Sequence, residues 1–579
     1  MSKTPNYDLK VKAVLDAAKL GERVCALTGE KWMMTEEEIG WYKKFNVPPS
    51  ELSPNTRWKW AGYFDIGFQF WWNKHARTGE PILSFHHPAS GIRVLPDAEW
   101  YEQDFSNTHE TLDLSKPFFE QLRALELRVP FFATANIVPP ENSLALLSFG
   151  DQNSYFVFAC QSKRTFFGVG AMDTEDSSVV YLSSGVKESH HISHSHRMYR
   201  CRYARESQDC LESAFLFDCR NCEHCFGATN KRNRKFLFMN EQLSEGEYRA
   251  RIAAIDLGKR SIVDEWSKRF DELLLTHAFW PENFNVGGTD ATGDYLHNAT
   301  RCHFCFDSED TAVDNFRSAW LYGASQGNAY AWGAVNTNES YSVETCPDSN
   351  RLKFCYRSVR CEDSEYCMVC RDCRNCFGCV GLAHKEFHIL NKPYTEEEYW
   401  KTVDAMECAM MDEGTYGSIF PTTFSSSYIP ESGSVLYAGS TEEDLRILGG
   451  NQFLPTDAGA TGVDRYDMSK TRQLADIPDN IDDLTDAWIG VPIYDEQAKR
   501  AFSFLKPEVE HYRKWRIAPP GEHFIPRMQQ MSWSAQIAQF ENRVCTKCSK
   551  PLLVTVCRRY PNRRILCRDC YLAYLEKNG

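Results

Sequence analysis

The chain has no run of about eighteen apolar residues, the length a helix needs to cross a bilayer, so no membrane span is expected. Its opening stretch, MSKTPNYDLKVKAVLDAAKL, contains no apolar core of an export signal. Positive charge is not in excess: 65 Lys and Arg stand against 79 Asp and Glu, a net charge of −14. Any nucleic-acid-binding surface must therefore be local. There is no P-loop and no complete GxGxxG fingerprint, and HKEFH at residues 384–388 is not HExxH. Residues 323–327, GASQG, match G-x-S-x-G around Ser325. That motif requires a strand–turn–helix setting in an α/β sheet, which the flanking sequence does not provide. No catalytic constellation is read, and no small-molecule substrate is indicated.

Cysteine, by contrast, is abundant, with 23 residues. Without an export signal, they are expected to be reduced thiols, metal ligands or packed side chains in the cytoplasm, not a disulfide framework. The composition, 42% hydrophobic and 13% aromatic, is that of folded domains.

Two internal duplications organise the chain. CLESAFLFDCRNCEHCFG begins at Cys210, and CEDSEYCMVCRDCRNCFG begins 151 residues later at Cys361. Without gaps this pairs Cys219, Cys222 and Cys225 with Cys370, Cys373 and Cys376, and further on Asn240 with Asn391 and Tyr248 with Tyr399. Both copies continue into a short apolar run (KFLFMN, EFHILN) and a capping box, Ser244 with Glu247 and Thr395 with Glu398, which should start a helix. The two ends of the chain are also related. EEEIGWYKKFNVPP around Tyr42 and KPEVEHYRKWRIAPP around Tyr512 align at an offset of 470 residues, which sets His75 on Cys545, Thr78 on Cys548, Asp97 on Cys567 and Trp100 on Cys570.

At the C-terminal end, Cys545-x-x-Cys548 and Cys567-x-x-Cys570 have the spacing of a four-thiolate zinc site, with one structural zinc expected. Cys557 is spare and is expected to pack. Arg558, Arg559, Arg563, Arg564 and Arg568 make this end locally basic; solvated hairpin charge and a phosphate-contacting patch are the two readings. At the aligned N-terminal site, His75 and Asp97, with His86 and His87 nearby, can in principle hold a metal, but a metal-free ribbon held by its aromatics is preferred.

The cysteine tracts show a period of three. Every third residue from 159 to 228, starting at Ala159, is neither charged nor aromatic. The second copy repeats this from Ala331 through Val343, Cys346, Leu352, Cys355, Cys361, Cys367, Cys370, Cys373 and Cys376 to Cys379. A period of three is neither strand nor helix; it suits a narrow solenoid whose every third side chain points into a lumen. The Ser-x-x-Cys spacing resembles the twelve-residue coils of insect antifreeze β-solenoids. It implies about six coils in the first tract, a stack of roughly 29 Å at the 4.8 Å strand spacing. Packed free thiols, metal ligands and lumenal disulfides are the alternatives for the in-phase cysteines. The first is preferred, because Ser, Ala, Val and Leu share the phase and cannot replace a ligand. His190, His191, His194 and His196 fall out of phase. They form a second candidate metal set, weighed against a solvated outer cluster.

DCRNCFGC followed by FHILNKPYTEEEYW, then GTYGSIFP, then the terminal CTKC…CRDC resemble a family of uncharacterised cysteine-rich bacterial proteins with terminal zinc-ribbon-like CxxC knuckles and internal DCRNCFGC-type repeats. The resemblance implies knuckles at both ends. Here Thr28 replaces the partner of Cys25, which puts metal at the N-terminal end in doubt.

The expected fold is mainly β with helices: two tandem narrow β-solenoids of about twelve residues per coil, each followed by strand and helix, flanked by zinc-ribbon-like end domains. The expected segments are a degenerate ribbon at 1–110, a helical linker at 111–150, a first solenoid at 151–276, a second at 277–412, an irregular linker at 413–495 and a zinc ribbon at 496–579. The expected function is a non-enzymatic zinc-binding scaffold with a protein partner. The alternatives are an RNA- or ribosome-associated protein, using the basic C-terminal ribbon and the basic-aromatic stretch RWKWAGYFDIGFQFWWNK at 57–74, and a thiol or metal redox protein.

Overall fold

The computed structural model describes residues 2–309, 311–462 and 467–579. The chain is mixed α/β, with 27% of residues in helices and 28% in strands, where the sequence predicted mainly β. It divides into two units. One comprises Met1–Ala133, Asn283–Leu454 and Ala538–Phe540; the other comprises Thr134–Glu282, Pro455–Ile537 and Glu541–Gly579. The N-terminal end thus folds with the second cysteine tract, and the C-terminal end with the first. No helix among the described residues is long and apolar enough to cross a membrane.

Each tract forms a parallel ladder. In the second unit the pairing Phe166, Ser178, His190, Arg202, Ala214, Phe226 climbs twelve residues per step. In the first unit the ladder is largely made of single bridges, such as Lys353 to Glu365 to Phe377 and Asn350 to Glu362 to Arg374. One bridging residue per triplet does not make a strand, and this lowers the β content below the expected share.

The triplet has a fixed logic. Lys353 bridges, Phe354 is left-handed (φ 56°) and Cys355 points inward; the left-handed residue recurs at Arg357, Arg360, Asp363 and Tyr366 with φ between 47° and 53°. The bridging amide donates to the following coil, as Lys353 N–H does to the Ser364 carbonyl at 3.1 Å. The left-handed amide donates to the preceding coil, as Phe354 N–H does to the Tyr341 carbonyl at 3.0 Å. The inward amide donates instead to the inward side chain of the coil before. Leu352 donates to Ser340 Oγ at 3.0 Å, Cys361 to Ser349 Oγ at 3.1 Å and Cys376 to Ser364 Oγ at 3.1 Å. A buried amide must be paired, so the inward row favours residues carrying an acceptor. The thiols take part too: Ala171 N–H donates to Cys160 Sγ at 3.3 Å, and Cys367 Sγ donates to the Glu365 carbonyl at 3.4 Å. The in-phase cysteine is therefore a hydrogen-bonding group as well as a space filler. Outside, left-handed residues on successive coils pair their charges, as in Arg351–Asp363, Arg360–Asp372 and Arg197–Asp209.

The inward rows make the two cores. One contains Val180, Ile192, Cys201, Leu216, Cys219 and Cys225; the other contains Leu321, Val343, Cys346, Cys361, Cys370 and Cys379. No cysteine is in a disulfide among the described residues. The expected phase fails at its start. Ala159 is left-handed (φ 52°) and half-buried, while Cys160 is fully buried. The early steps are eleven residues, as in Val138 to Phe149 and Tyr155 to Phe166, so the count slips by one. The second ladder likewise begins at Val286, upstream of Ala331, with eleven-residue steps and then thirteen-residue steps such as Thr300 to Val313 and Phe316 to Ala329.

Other segments also differ from the expected plan. Residues 111–150 hold the helix Phe118–Glu126, but their end already belongs to the first ladder. Residues 413–495 hold the short helices Gly433–Leu436 and Glu442–Leu448, and strands Arg472–Gln473 and Ile493–Asp495; 463–466 lie outside the described residues. Both expected capping boxes are formed, at the starts of the helices Glu245–Ala253 and Glu396–Asp412.

Two outcomes follow for the ladder. Ser364→Ala strands the buried Cys376 amide and should cost about 1–3 kcal/mol, with hydrogen-exchange protection at Cys376 falling. Cys367→Ser keeps a donor and an acceptor and should cost less; equal losses would show that the side-chain acceptor is not what the row requires. In native thiol titration, labelling should be confined to the half-buried Cys408, with Cys548 and Cys570, which are also not buried, joining it once a chelator is added. In guanidinium without reductant, all the in-phase thiols should label.

Candidate metal centre

The strands Gln536–Val544 and Pro551–Cys557 form a hairpin whose turn carries Cys545 and Cys548. Cys545 N–H donates to the Lys550 carbonyl and Ser549 N–H to the Cys545 carbonyl, both at 2.9 Å; Ser549 takes φ 59°. The strand Ile565–Leu566 lies parallel to Trp280–Pro281. Cys567 then caps the helix Arg568–Asn578, and Cys570 sits in its first turn. Thr546 N–H donates to the Ile565 carbonyl at 2.8 Å and locks the two halves together.

The sulfurs of Cys545, Cys548, Cys567 and Cys570 all lie within 4.8 Å of one another and can hold a metal ion. Cys548 and Cys567 sulfurs are 3.7 Å apart, and Cys567 N–H donates to Cys545 Sγ at 3.3 Å. Partial burial raises the Cys545 thiol, but the N–H groups of Cys567, Cys548 and Lys547 outweigh it and bring it to about 6. Cys545 and Cys567 are buried, Cys570 is half-buried and Cys548 is exposed. Cys557 stands apart, fully buried, with Sγ donating to the Ser534 carbonyl at 3.5 Å.

Four of the five arginines of this end are engaged internally, while Arg568 is exposed. Arg558 lies over Trp533 at 4.5 Å, Arg559 pairs with Asp271 at 2.6 Å, Arg563 is 4% exposed, and Arg564 lies over Phe279 at 4.2 Å. Tyr571, next to Cys570, hydrogen-bonds the Asp218 carboxylate of the ladder.

The N-terminal end holds two hairpins of the same form. In the first, Cys25 N–H donates to the Glu30 carbonyl at 2.8 Å, Gly29 N–H to the Cys25 carbonyl at 3.0 Å and Ala26 N–H to the Glu51 carbonyl at 3.0 Å. These are the bonds of the Cys545 turn. Ser53 caps the helix Pro54–Ala61, as Cys567 caps its own. The four ligand positions are thus occupied by Cys25, Thr28, Ser53 and Thr56. Thr56 Oγ1 lies 3.4 Å from Cys25 Sγ, 3.3 Å from Thr28 Oγ1 and 2.8 Å from Ser53 Oγ.

In the second hairpin, His75 and Thr78 match Cys545 and Cys548 as the sequence aligned them. The other half is shifted by one residue. Ala76 N–H donates to the Val94 carbonyl, the counterpart of Ile565, so Pro96 and Glu99 occupy the places assigned to Asp97 and Trp100. A one-residue shortening of the loop hid this. His75 Nδ1 accepts from the N–H groups of Arg77 and Thr78 at 3.2 and 3.3 Å, which leaves the ring proton on Nε2 to donate to Glu99 at 3.0 Å. Trp100 is buried and donates to the Pro130 carbonyl at 2.8 Å. His86 and His87 are buried too; His86 Nδ1 lies 2.6 Å from Ser426 Oγ, and His87 stacks on Phe453 at 4.9 Å. The signal overlooked in the sequence is the phrase x-T-G-E shared by CALTGE at Cys25 and HARTGE at His75.

The four histidines of the first tract are not gathered into a metal-ligand set; among the described residues only the four terminal cysteines meet that geometry. Nor do they form a solvated cluster, for His190 and His194 are each only 8% exposed. His190 Nδ1 lies 2.8 Å from Ser178 Oγ, which His511 Nε2 approaches at 3.0 Å from the helix Lys506–Lys514; that helix covers this part of the outer face. His196 Nδ1 meets Ser184 Oγ at 2.8 Å. Burial, with neighbouring cations, keeps His191 at about 3. Ser325 of the G-x-S-x-G match is fully buried in the inward row, its Oγ donating to the Ala334 carbonyl at 2.9 Å.

No protein-family model matches this chain, and the searches of curated proteins and of solved structures gave no match either.

Proposed function

We propose that the chain is a zinc-stabilised binding scaffold: two narrow solenoids with structured end domains packed on their outer faces, and one structural zinc on Cys545, Cys548, Cys567 and Cys570. The observation that carries this is the convergence of the four sulfurs within 4.8 Å. A zinc tetrahedron with bonds of ~2.3 Å has sulfur–sulfur edges of about 3.8 Å, and the Cys548–Cys567 separation is 3.7 Å. Four sulfurs around one zinc leave no open position for a substrate, so the metal's role is to hold the fold. A reducing cytoplasm suits so many unpaired thiols.

The scaffold reading, with a protein partner, is better supported than its alternatives. Of the arginines on which RNA or ribosome association rests, Arg558, Arg559 and Arg564 are bound to Trp533, Asp271 and Phe279 and Arg563 is buried, which leaves Arg568 exposed. In the basic-aromatic stretch, Arg57 lies over Tyr330 at 3.2 Å and Lys59 pairs with Asp444 at 2.7 Å. Burial raises the thiol pKa of Cys160 and Cys346 and brings Cys201 up to about 12, while a neighbouring thiol's hydrogen bond brings Cys302 to about 7; all four are buried, and a reactive thiol needs access as well as a low pKa.

Elemental analysis of the purified chain should give one zinc, lost on Cys548→Ser or on chelation, with a lower melting temperature. Iron, or several metals per chain, would overturn the reading. Strong absorbance at 260 nm on purification would favour the RNA alternative. A second outcome concerns the first N-terminal hairpin. Because its ligand positions already lie together, the triple variant Thr28→Cys, Ser53→Cys, Thr56→Cys should bind a second zinc; a stoichiometry unchanged in the folded variant would show that the two hairpins are not equivalent.

A further inference from the structure

A cleft of about 710 Å³ opens in the second unit between the first ladder and the helix Arg260–His277. One wall is a column of left-handed residues twelve apart, Val179, His191, Tyr203 and Phe215. The Tyr203 and Phe215 rings stack at 4.8 Å and 13°, and His191 lies against Tyr203 at 5.2 Å. Its ring nitrogens hydrogen-bond to no described residue, and with its pKa near 3 the ring is neutral at physiological pH.

Cations converge on this aromatic wall. Arg205 and Arg559 are matched by Asp271, at 3.9 and 2.6 Å. Arg260 reaches only the carbonyl oxygens of Ile477 and Pro519, at 3.3 and 3.4 Å. Arg527 lies over Phe167 at 4.6 Å, with its Nε buried and without a hydrogen-bond partner. With Lys268, five cations line the cleft against the carboxylates of Asp264, Asp271 and Glu522, in a chain whose net charge is −14. The corresponding face of the first unit is closed. There Arg57 lies over Tyr330, and the space among Arg57, Trp58, Tyr330 and Trp332 is about 30 Å³. The open cleft is therefore not a by-product of stacking coils.

We propose that this cleft binds a small anionic ligand bearing a planar ring, of which a nucleoside monophosphate is the simplest form. The ring lies on the Tyr203–Phe215 wall beside the neutral His191, and the anionic group meets Arg527 and Arg260. Ligand sites of this kind are typically 300–1,000 Å³, apolar-walled, with a few convergent polar groups. Stacking on an aromatic face contributes about 1–3 kcal/mol per base, and a guanidinium holds phosphate in two-pronged fashion. The proposal does not rest on the metal reading.

The test is calorimetric titration of the full zinc-loaded chain with adenosine, guanosine, cytidine and uridine monophosphates. Adenosine, inorganic phosphate and a ten-nucleotide single-stranded RNA serve as comparison ligands. At least one monophosphate should bind with Kd below about 100 µM, with adenosine and phosphate each at least tenfold weaker than the best monophosphate. Tyr203→Ala and Arg527→Met should each weaken it at least tenfold. Ser267→Trp, on the helix facing the wall, should block binding by filling the cleft while leaving the circular dichroism and zinc content unchanged; it carries the test if either of the other variants fails to fold. Absence of binding by all four monophosphates at about 1 mM overturns the proposal, as does binding that survives Ser267→Trp. Binding of the RNA strand alone overturns it in favour of a strand-binding surface.

Discussion

One amide in three governs both ladders. Along the twelve-residue steps the bridging and left-handed N–H groups reach carbonyls of neighbouring rungs, while many of the inward N–H groups turn to the side chain one rung before, as Cys361 does to Ser349 and Cys225 to Ser213. An unpaired buried amide costs about 1–3 kcal/mol, and each coil has four inward positions. The inward row therefore favours a short side chain with an acceptor close to Cβ, interspersed with apolar residues such as Val180, Ile192 and Leu216 that only fill space. Serine meets this preference; cysteine meets it too, its sulfur adding bulk while still donating to the carbonyl two residues before it. The same demand reaches outward. The left-handed residue after each bridge carries a steric cost of roughly 1–2 kcal/mol for an ordinary side chain. Asp and Asn ease that cost, and they recur there at Asp348, Asp363, Asp372 and Asn375.

This constraint explains why the three-residue phase is readable in the sequence and where it stops. Charge and bulky rings are kept out of the inward row by its close burial, so their absence from every third position exposes the row. The reading survives as long as each coil has twelve residues. An eleven-residue step before Phe166 and thirteen-residue steps between Thr300 and Trp332 move the inward row by one position, and a fixed count cannot follow. Nothing in local sequence states that the N-terminal end folds with the second tract rather than the first; that pairing rests on contacts such as Trp58 Nε1 with the Arg317 carbonyl and Arg57 with Tyr341. The terminal CxxC pairs were readable because four cysteines at that spacing have few other uses. The histidine cluster was not, because its burial depends on a helix more than three hundred residues away in the chain, whose His511 meets Ser178.

The three hairpins differ in what joins the turn to its helix. All share the same backbone hydrogen bonds, so the turn does not depend on an ion. What differs is the means of holding the turn against its helix. At Cys25 three hydroxyls close the gap at hydrogen-bond distance, and Tyr42 and Trp58 are buried nearby. At His75 a single imidazole spans the site, accepting two amides on one nitrogen and donating to Glu99 from the other, beside the buried Trp71 and Trp100. The C-terminal hairpin has neither device. Thiols are weak donors and acceptors, so the four cysteines do not close the gap by hydrogen bonds as the hydroxyls at Cys25 do. Four sulfurs drawn this close, with backbone amides favouring the thiolate at Cys545, form a group that could hold a metal ion. Hydroxyl or imidazole contacts span the N-terminal sites, whereas the C-terminal hairpin carries four converging thiols, among the described residues the one group that could hold a metal ion.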